Sequence, residues 1–254
     1  MKTYRYGAAP SQIGDLHLPR APNAPVVCLL HGGFWRLPYG YDQMTPLAED
    51  LAQRGYAAWN LEYRRIGEDG GGWPGTLADV SAGIEHLAKL KEDGADIDLS
   101  RVVTVGHSAG GHLALWAAGP RTLMGDEHLP RVRVMAAVGQ APAADLKQVH
   151  TLGLSRGVAL EFLGGTPAQY PERYAAASPR ELLPLGVPQL IVHGVADDTV
   201  PVAIGREYSA AAKAAGDTVD YVEFPGFGHF EHIDRTSPAW KAVTDWLERL
   251  FRSA

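Results

Sequence analysis

The sequence predicts a single α/β domain built on a mostly parallel, twisted β-sheet with helices on both faces. Two observations carry this prediction. Short runs that are apolar on both faces alternate with longer segments of helical spacing, which is typical of parallel strands joined by crossover helices. The chain has 254 residues, of which 46% are hydrophobic and 20% charged, and this suits one domain (1–254) with a sizeable core.

The apolar runs are the predicted strands, and the segments of helical spacing are the predicted helices. Strands are expected at 25–33, 56–63, 101–106, 132–142, 188–194 and 219–226. Helices are expected at 44–55, 75–94, 108–119, 203–216 and 237–251. Residues 143–187 break this alternation with several prolines and glycines. We expect that segment to form a short, cap-like insertion over the carboxyl edge of the sheet.

Composition and charge exclude several classes of protein. The formal net charge is −6 without a cluster of Lys or Arg, so no nucleic-acid partner is expected. The single cysteine, Cys28, cannot form an internal disulfide, which excludes a disulfide-built fold. The first twenty residues contain no apolar segment of signal-peptide length, and no segment approaches the length of a membrane span. We therefore expect a cytoplasmic protein without a membrane partner.

The stretch Gly106-His107-Ser108-Ala109-Gly110 joins a predicted strand to a predicted helix and matches the pattern G-x-S-x-G. In such a turn the serine takes a strained backbone conformation, and the flanking glycines remove side chains that would collide with the strand and the helix. The hydroxyl is then presented at a helix N-terminus, whose dipole favours developing negative charge. The pattern predicts Ser108 as a nucleophile.

A second glycine-rich turn, HGGFW (31–35), follows the first predicted strand. An oxyanion hole needs backbone amides that point into open space, and glycines allow such a turn. We expect the donors to be the N–H of Ala109, directly after the nucleophile, and the N–H groups of Gly33 or Phe34. His31 is interpreted as a hydrogen-bonding residue that holds the loop.

The stretch HGVADDTVP (193–201) brings two carboxylates after a predicted strand. A serine nucleophile needs one buried carboxylate to hold the tautomer of its histidine, and Asp197 is the predicted carboxylate. Asp198 is expected to face solvent or to cap the following helix. Asp145 follows the preceding strand and stays an alternative.

The expected general base is His229, on a glycine-rich loop between the last strand and the last helix. His232 is its rival, and we interpret it as a supporting or exposed residue. The chain order Ser108, Asp197, His229 is that of α/β-hydrolases. Other histidines are expected at the surface or in packing positions: His17, His86, His112, His128 and His150.

Together these stretches resemble the α/β-hydrolase superfamily, and the resemblance covers nearly the whole chain from about residue 20. More narrowly, HGGFW (31–35), LEYRR (61–65) and GHSAGGHLALW (106–116) are similar to the esterase group of the kynurenine formamidases and the feruloyl- and acetyl-xylan-esterase-like proteins, BD-FAE. The related hormone-sensitive-lipase group carries a third glycine where this chain has Phe34.

The resemblance implies a nucleophile, an acid and a base at Ser108, Asp197 and His229. It implies oxyanion donors at Gly33, Phe34 and Ala109. We assign no chemistry to Glu62, Tyr63 and Arg64, because the matching stretch is usually structural.

The expected function is a serine hydrolase that cleaves small carboxylic esters through an acyl-enzyme intermediate. The main alternative substrate is a formamide of the N-formylkynurenine type, and a peptidase or a non-catalytic binding protein of the same fold is less favoured. Trp35 is assigned to substrate binding, with Phe34 and Trp73 beside it, although each aromatic residue also suits a core position. Neither a metal-binding motif nor a phosphate loop with its lysine is present, so no metal and no cofactor are expected.

Overall fold

The structure is a computed structural model that describes residues 1–119 and 131–253. Its strands are β1 (Lys2–Arg5), β2 (Ile13–His17), β3 (Ala24–Leu30), β4 (Ala57–Leu61), β5 (Ile97–His107), β6 (Ala136–Gln140), β7 (Gln189–Gly194) and β8 (Val219–Phe224). They form one sheet in the order β1-β2-β4-β3-β5-β6-β7-β8. The pairs that involve β2 are antiparallel, and all others are parallel. The predicted α/β fold with a mostly parallel sheet is confirmed.

The described helices are α1 (Thr45–Gln53), α2 (Gly75–Glu92), α3 (Ala109–Ala118), α4 (Leu146–Thr151), α5 (Leu154–Leu163), α6 (Pro171–Ala177), α7 (Val202–Ala214) and α8 (Pro238–Ser253). The helices predicted at 44–55, 75–94, 108–119, 203–216 and 237–251 lie close to their predicted bounds, whereas no helix was predicted for α4, α5 and α6 in residues 143–187. His128 lies outside the described residues. None of the helices in the described part of the chain is long and apolar enough to cross a membrane.

Side chains of the central strands alternate between two apolar cores. In β3, Val26 and Cys28 belong to the core that also contains side chains of α2, α3 and α7, whereas Val27 and Leu29 belong to the core that contains side chains of α1 and α8. Because burial of an aliphatic side chain contributes about 1.5–3 kcal/mol, a strand that is apolar on both faces is stable only between two helical layers. This alternation explains the near-continuous apolar run of β3 and brings the carboxyl ends of the parallel strands to one edge.

The amino-terminal hairpin was missing from the sequence prediction. β1 and β2 pair antiparallel, and β2 then pairs antiparallel with β4. Asp15 and His17 of β2 are buried, so this strand lacks the apolar pattern that marks the central strands. β5 also begins earlier than predicted, because Ile97 and Asp98 pair with the start of β3 ahead of a bulge.

Residues 143–187 contain α4, α5 and α6 and pack against α3. Trp116 Nε1 of α3 donates to the carbonyl oxygen of Ala176 at 3.0 Å, and His112 Nε2 lies 2.8 Å from the carbonyl oxygen of Ala177. The backbone N–H of Trp73 donates to the carbonyl oxygen of Phe162 at 2.8 Å. The segment is therefore tied to the helix that follows Ser108, and its role as a cap stays a prediction.

Candidate active site

Ser108 stands between the end of β5 and the start of α3, with φ 58° and ψ −117°. This backbone conformation costs a residue other than glycine on the order of 1–3 kcal/mol, and it persists only where the surrounding structure enforces it. A Cβ on Gly106 would lie 2.0 Å from the carbonyl oxygen of Gly110, and a Cβ on Gly110 would lie 2.0 Å from that of Leu30. Both glycines are therefore required by the close approach of backbone to backbone.

Three backbone hydrogen bonds hold this strained turn. The N–H of Ser108 donates to the carbonyl oxygen of Gln140 at 2.8 Å. The carbonyl oxygen of Ser108 accepts from the N–H of His112 at 3.0 Å and from that of Ala143 at 3.3 Å. The turn is thus held by hydrogen bonds to the end of β6 and to Ala143, which follows β6, and by one hydrogen bond from α3.

Asp197 lies after β7 and is only 8% exposed. Its Oδ2 atom is 2.7 Å from His229 Nδ1, and its Oδ1 atom accepts from the backbone N–H groups of Thr199 at 2.9 Å and Val200 at 2.8 Å. His193 Nε2 lies 3.4 Å from Oδ2. Burial alone would raise the pKa of Asp197, but hydrogen bonds from His193 and His229 outweigh it and hold the pKa well below its usual range. The carboxylate is therefore ionised beside His229.

The two alternative carboxylates, Asp198 and Asp145, make contacts other than to a histidine. Asp198 is exposed, and its side chain accepts from the hydroxyl of Thr199 at 3.2 Å. Asp145 is the N-cap of α4, where its Oδ1 accepts from the N–H groups of Lys147 and Gln148, each at 3.0 Å. Within residues 1–119 and 131–253, neither carboxylate is hydrogen bonded to a histidine.

His229 is 4% exposed on the loop between β8 and α8. Since a carboxylate only accepts, the contact with Asp197 requires the proton of the neutral ring on Nδ1, which leaves Nε2 as the basic nitrogen. His107, the residue before Ser108, holds this loop: its Nε2 lies 2.8 Å from the carbonyl oxygen of His229 and the two rings are 4.5 Å apart. Sequence reasoning missed this role of His107, because nothing in G-x-S-x-G indicates what the second residue contacts.

His232 is fully buried, which rules out the exposed position considered for it. Burial, with further contributions from nearby His193 and His229, lowers the pKa of His232 from 6.5 to about 4. Neither of its ring nitrogens has a hydrogen-bond partner among the described residues, while its carbonyl oxygen accepts from Gln140 Nε2 at 2.7 Å. His232 is a neutral packing residue beside the site, and within residues 1–119 and 131–253 no carboxylate is hydrogen bonded to its ring.

Residues 31–35, which we name the oxyanion turn after the role predicted for them, contain three consecutive left-handed residues: Gly33 with φ 104°, Phe34 with φ 55° and Trp35 with φ 57°. At Gly33 only glycine fits, because a Cβ there would lie 2.2 Å from Tyr39 Cβ. In the part of the chain that the structure describes, no protein acceptor takes the N–H of Gly33, Phe34 or Ala109. Ala109 is the first residue of α3, where a helix leaves its N–H groups unpaired.

Trp35 corrects the sequence expectation. Its side chain is completely buried, with its ring stacked on that of Phe162 at a centroid distance of 4.6 Å. Its Nε1 donates to His112 Nδ1 at 3.2 Å. The assignment of Trp35 to substrate binding is therefore wrong: the left-handed turn directs the indole into the core, between α3 and α5. Phe34 and Trp73 are half-buried and stay candidates to line a pocket.

Comparison with known proteins agrees with this architecture. The BD-FAE family model matches residues 15–211. The esterase LipQ of Mycobacterium tuberculosis is 29% identical over 88% of this chain and 55% of its own length. A probable isoprenylcysteine α-carbonyl methylesterase, ICME, of Oryza sativa subsp. japonica is 26% identical over 90% of this chain and 58% of its own. The chain thus spans a little over half the length of these curated relatives.

Solved structures share the fold over the full length of the chain. A truncated carbohydrate esterase from gut microbiota superposes with a TM-score of 0.82 at 21% identity, and covers 98% of this chain and 96% of its own. A propionate-bound esterase, Est2, of Thermogutta terrifontis gives a TM-score of 0.78 at 25% identity over 99% and 93%. Since the family model spans most of the sequence, from β2 through most of α7, this chain belongs to the BD-FAE family.

Proposed function

We propose that this chain is a serine ester hydrolase that cleaves small carboxylic esters through an acyl-enzyme intermediate. The observation that carries the proposal is the hydrogen bond of 2.7 Å between His229 Nδ1 and the buried carboxylate of Asp197, beside the strained turn of Ser108. An ionised carboxylate that fixes the tautomer of a histidine is the arrangement that activates a serine.

In the proposed reaction, His229 Nε2 takes the proton of the Ser108 hydroxyl as Oγ attacks the ester carbonyl carbon. Asp197 stabilises the imidazolium that forms. The oxyanion accepts hydrogen bonds from the N–H groups of Gly33 and Phe34 and from that of Ala109 at the N-terminus of α3, none of which has an acceptor among the described residues. The carbonyl then re-forms, the bond to the alcohol oxygen breaks, and the alcohol leaves with the proton from His229. Water releases the acid by the same steps.

Esters are favoured over formamides because the relatives described above are named esterases or methylesterases. The proposed acyl groups are short. Est2 of Thermogutta terrifontis, at 25% identity, is known with propionate bound, and a related Est2 structure holds butyrate. In this chain, the half-buried side chain of Phe34 extends from a residue whose own N–H is a proposed oxyanion donor, and it would narrow the acyl side of the site. Residues 143–187 are proposed to cover the leaving-group side, since they pack against α3.

A panel of p-nitrophenyl esters of increasing chain length, run beside N-formylkynurenine and a feruloyl ester, tests the proposal. We expect turnover of short-chain esters and labelling of the protein by a fluorophosphonate, both of which Ser108→Ala abolishes. Failure of the wild-type protein to react with the probe would identify it as a non-catalytic member of the fold. Faster turnover of N-formylkynurenine than of any ester would show that the substrate is a formamide and not an ester. The expected cytoplasmic location is also part of the proposal, and cell fractionation tests it.

A further inference from the structure

Glu62 is a buried carboxylate that stands outside the proposed catalytic group. It follows β4, and it is only 5% exposed. Four donors converge on its two oxygens: His31 Nε2 at 2.7 Å, the N–H of Tyr63 at 2.9 Å, the N–H of Tyr41 at 3.2 Å and Arg65 Nη1 at 3.1 Å. Because a buried charge is costly unless it is paired and hydrogen bonded, these donors are held firmly in place.

The first donor, His31, connects Glu62 to the oxyanion turn. His31 Nδ1 lies 2.7 Å from the carbonyl oxygen of Gly32. The ring of Tyr63 stacks on that of His31 at 4.2 Å with an angle of 5° between the planes, and the Tyr63 hydroxyl donates to the carbonyl oxygen of His31 at 2.7 Å. Both edges of the imidazole, one of its faces and its own carbonyl are therefore fixed.

Both ring nitrogens of His31 face oxygen atoms that accept hydrogen bonds. A carbonyl oxygen only accepts, so His31 Nδ1 donates to Gly32. A bare Nε2 would then face a carboxylate oxygen at 2.7 Å, with a lone pair on each atom, so a proton lies between them. Glutamine has nearly the same shape as glutamate but lacks the negative charge that attracts this N–H group, and its NH₂ group cannot accept a hydrogen bond.

Another of the four donors, Arg65, connects Glu62 to the residues that follow the turn. Arg65 Nη1 also donates to the carbonyl oxygen of Tyr39. Tyr39 packs directly over Gly33, where a Cβ would lie 2.2 Å from Tyr39 Cβ. The same guanidinium pairs through Nε with Glu68 at 2.9 Å, which balances its charge. Glu62 thus reaches the turn from both sides, through His31 before it and through Arg65 and Tyr39 after it.

We infer that Glu62 is a positioning residue of the oxyanion hole: through His31 and Arg65 it holds the backbone so that the Gly33 and Phe34 amides stay aimed at the oxyanion. The inference rests on the proposed function, because the amides matter only if an oxyanion forms. Glu62 itself touches no substrate. Its contribution is realised in the transition state, where negative charge develops, and not in the binding of the neutral ester.

The test is Glu62→Gln, assayed on the best p-nitrophenyl ester of the wild-type protein. We expect kcat to fall by about 10- to 100-fold while KM changes by less than about threefold, since misplaced donors affect the charged state alone. A trifluoromethyl ketone, which forms a tetrahedral oxyanion adduct with a serine, provides a second readout. Its Ki should rise by the same factor as kcat/KM falls.

Asp79→Asn is the matched control. Asp79 is as deeply buried as Glu62 and pairs with Arg64 through Oδ1 at 2.8 Å, but its hydrogen bonds in the described part of the chain go to Gln12 and Arg64 and not to the oxyanion turn. We expect this variant to lose thermal stability while kcat and the Ki of the ketone stay near wild type. Tyr63→Phe is the milder second variant, because it removes only the hydroxyl bond to His31 and keeps the stacked ring. In Tyr63→Phe, kcat should also fall while KM stays nearly constant, but the fall in kcat should be smaller than in Glu62→Gln.

The two failures are distinguishable. No turnover by the wild-type protein would overturn the proposed function and this inference with it. A folded Glu62→Gln with wild-type kcat and Ki would overturn the inference alone. A rise in KM with unchanged kcat, or an equal loss in Asp79→Asn, would also overturn it, because either result indicates a general loss of structure. If Glu62→Gln does not fold, unchanged kcat and Ki in Tyr63→Phe would overturn the inference in its place.

Discussion

Replacing Asp197 by asparagine separates the charge of this residue from its shape. Oδ1 accepts from the two backbone N–H groups of Thr199 and Val200. Since an amide nitrogen cannot accept them, the asparagine oxygen takes this position and its NH₂ group takes the place of Oδ2, facing His229. His229 Nδ1 must then accept, which moves the ring proton to Nε2. In that tautomer the nitrogen proposed to act on Ser108 has no lone pair to offer.

The expected loss is on the order of 10⁴ in kcat, or roughly 5 kcal/mol at about 1.4 kcal/mol per factor of ten. KM should change little, because the carboxylate lies behind His229. The assay is the initial rate with a p-nitrophenyl ester at saturating concentration, with circular dichroism to verify the fold. Asp198→Asn is the control, since Asp198 is exposed and bonded only to Thr199 among the described residues. A folded Asp197→Asn within about tenfold of wild type, or a larger loss in Asp145→Asn, would refute the reasoning.

Three further outcomes are expected. Ser108→Ala should lower ester hydrolysis by several powers of ten and keep the fold, because the strain belongs to the backbone; near-native turnover by a folded variant would refute the nucleophile. Acetate or butyrate esters should exceed octanoate by at least about tenfold in kcat/KM, because methylenes that do not fit beside Phe34 add clashes instead of burial; a profile that peaks at eight carbons or beyond would contradict this. The free energy of unfolding should decrease as the pH falls from 6.5 towards about 4, because the folded-state pKa of His232 is lowered and the unfolded chain takes up the proton first. Urea titrations across this pH range should show that the free energy of unfolding decreases less steeply in His232→Gln than in the wild-type protein. Part of the decrease should persist, because the pKa values of buried His107 and His112 are also lowered. The same pH dependence in the variant and the wild type would contradict the contribution of His232.

Local sequence patterns were sufficient to predict the parts of the site that lie at the carboxyl ends of strands. The turns around Ser108, Asp197 and His229 follow β5, β7 and β8, and parallel strands bring such turns to one edge whatever the rest of the chain does. Their roles remain predictions, but their proximity required no knowledge of distant contacts. The glycines at 106 and 110 were predictable for the same reason, since their clashes are with the immediate neighbours of the turn.

Trp35 and Glu62 show where this reasoning ends. The direction of the Trp35 side chain depends on Phe162, a residue far along the chain, and no periodicity in HGGFW encodes that contact. Glu62 lies in a stretch that the sequence marks only by similarity. Two of its four donors, Tyr63 and Arg65, lie in the same stretch, but His31 and Tyr41 lie well before it in the chain, and His31 becomes a neighbour when β3 and β4 pair. The hairpin of β1 and β2 was missed because its strands are short, β1 is largely exposed and β2 buries polar residues.

The burial of Trp35 has a consequence for engineering. Exchange of residues 143–187 for the equivalent segment of a relative is an obvious route to a new substrate range. In this chain that exchange would also remove Phe162, on which Trp35 stacks, and the carbonyl of Ala177, which His112 contacts. The insertion is therefore not a modular attachment. A productive chimera has to supply an aromatic partner for Trp35, whereas diversification of exposed positions such as Leu152 leaves that packing untouched.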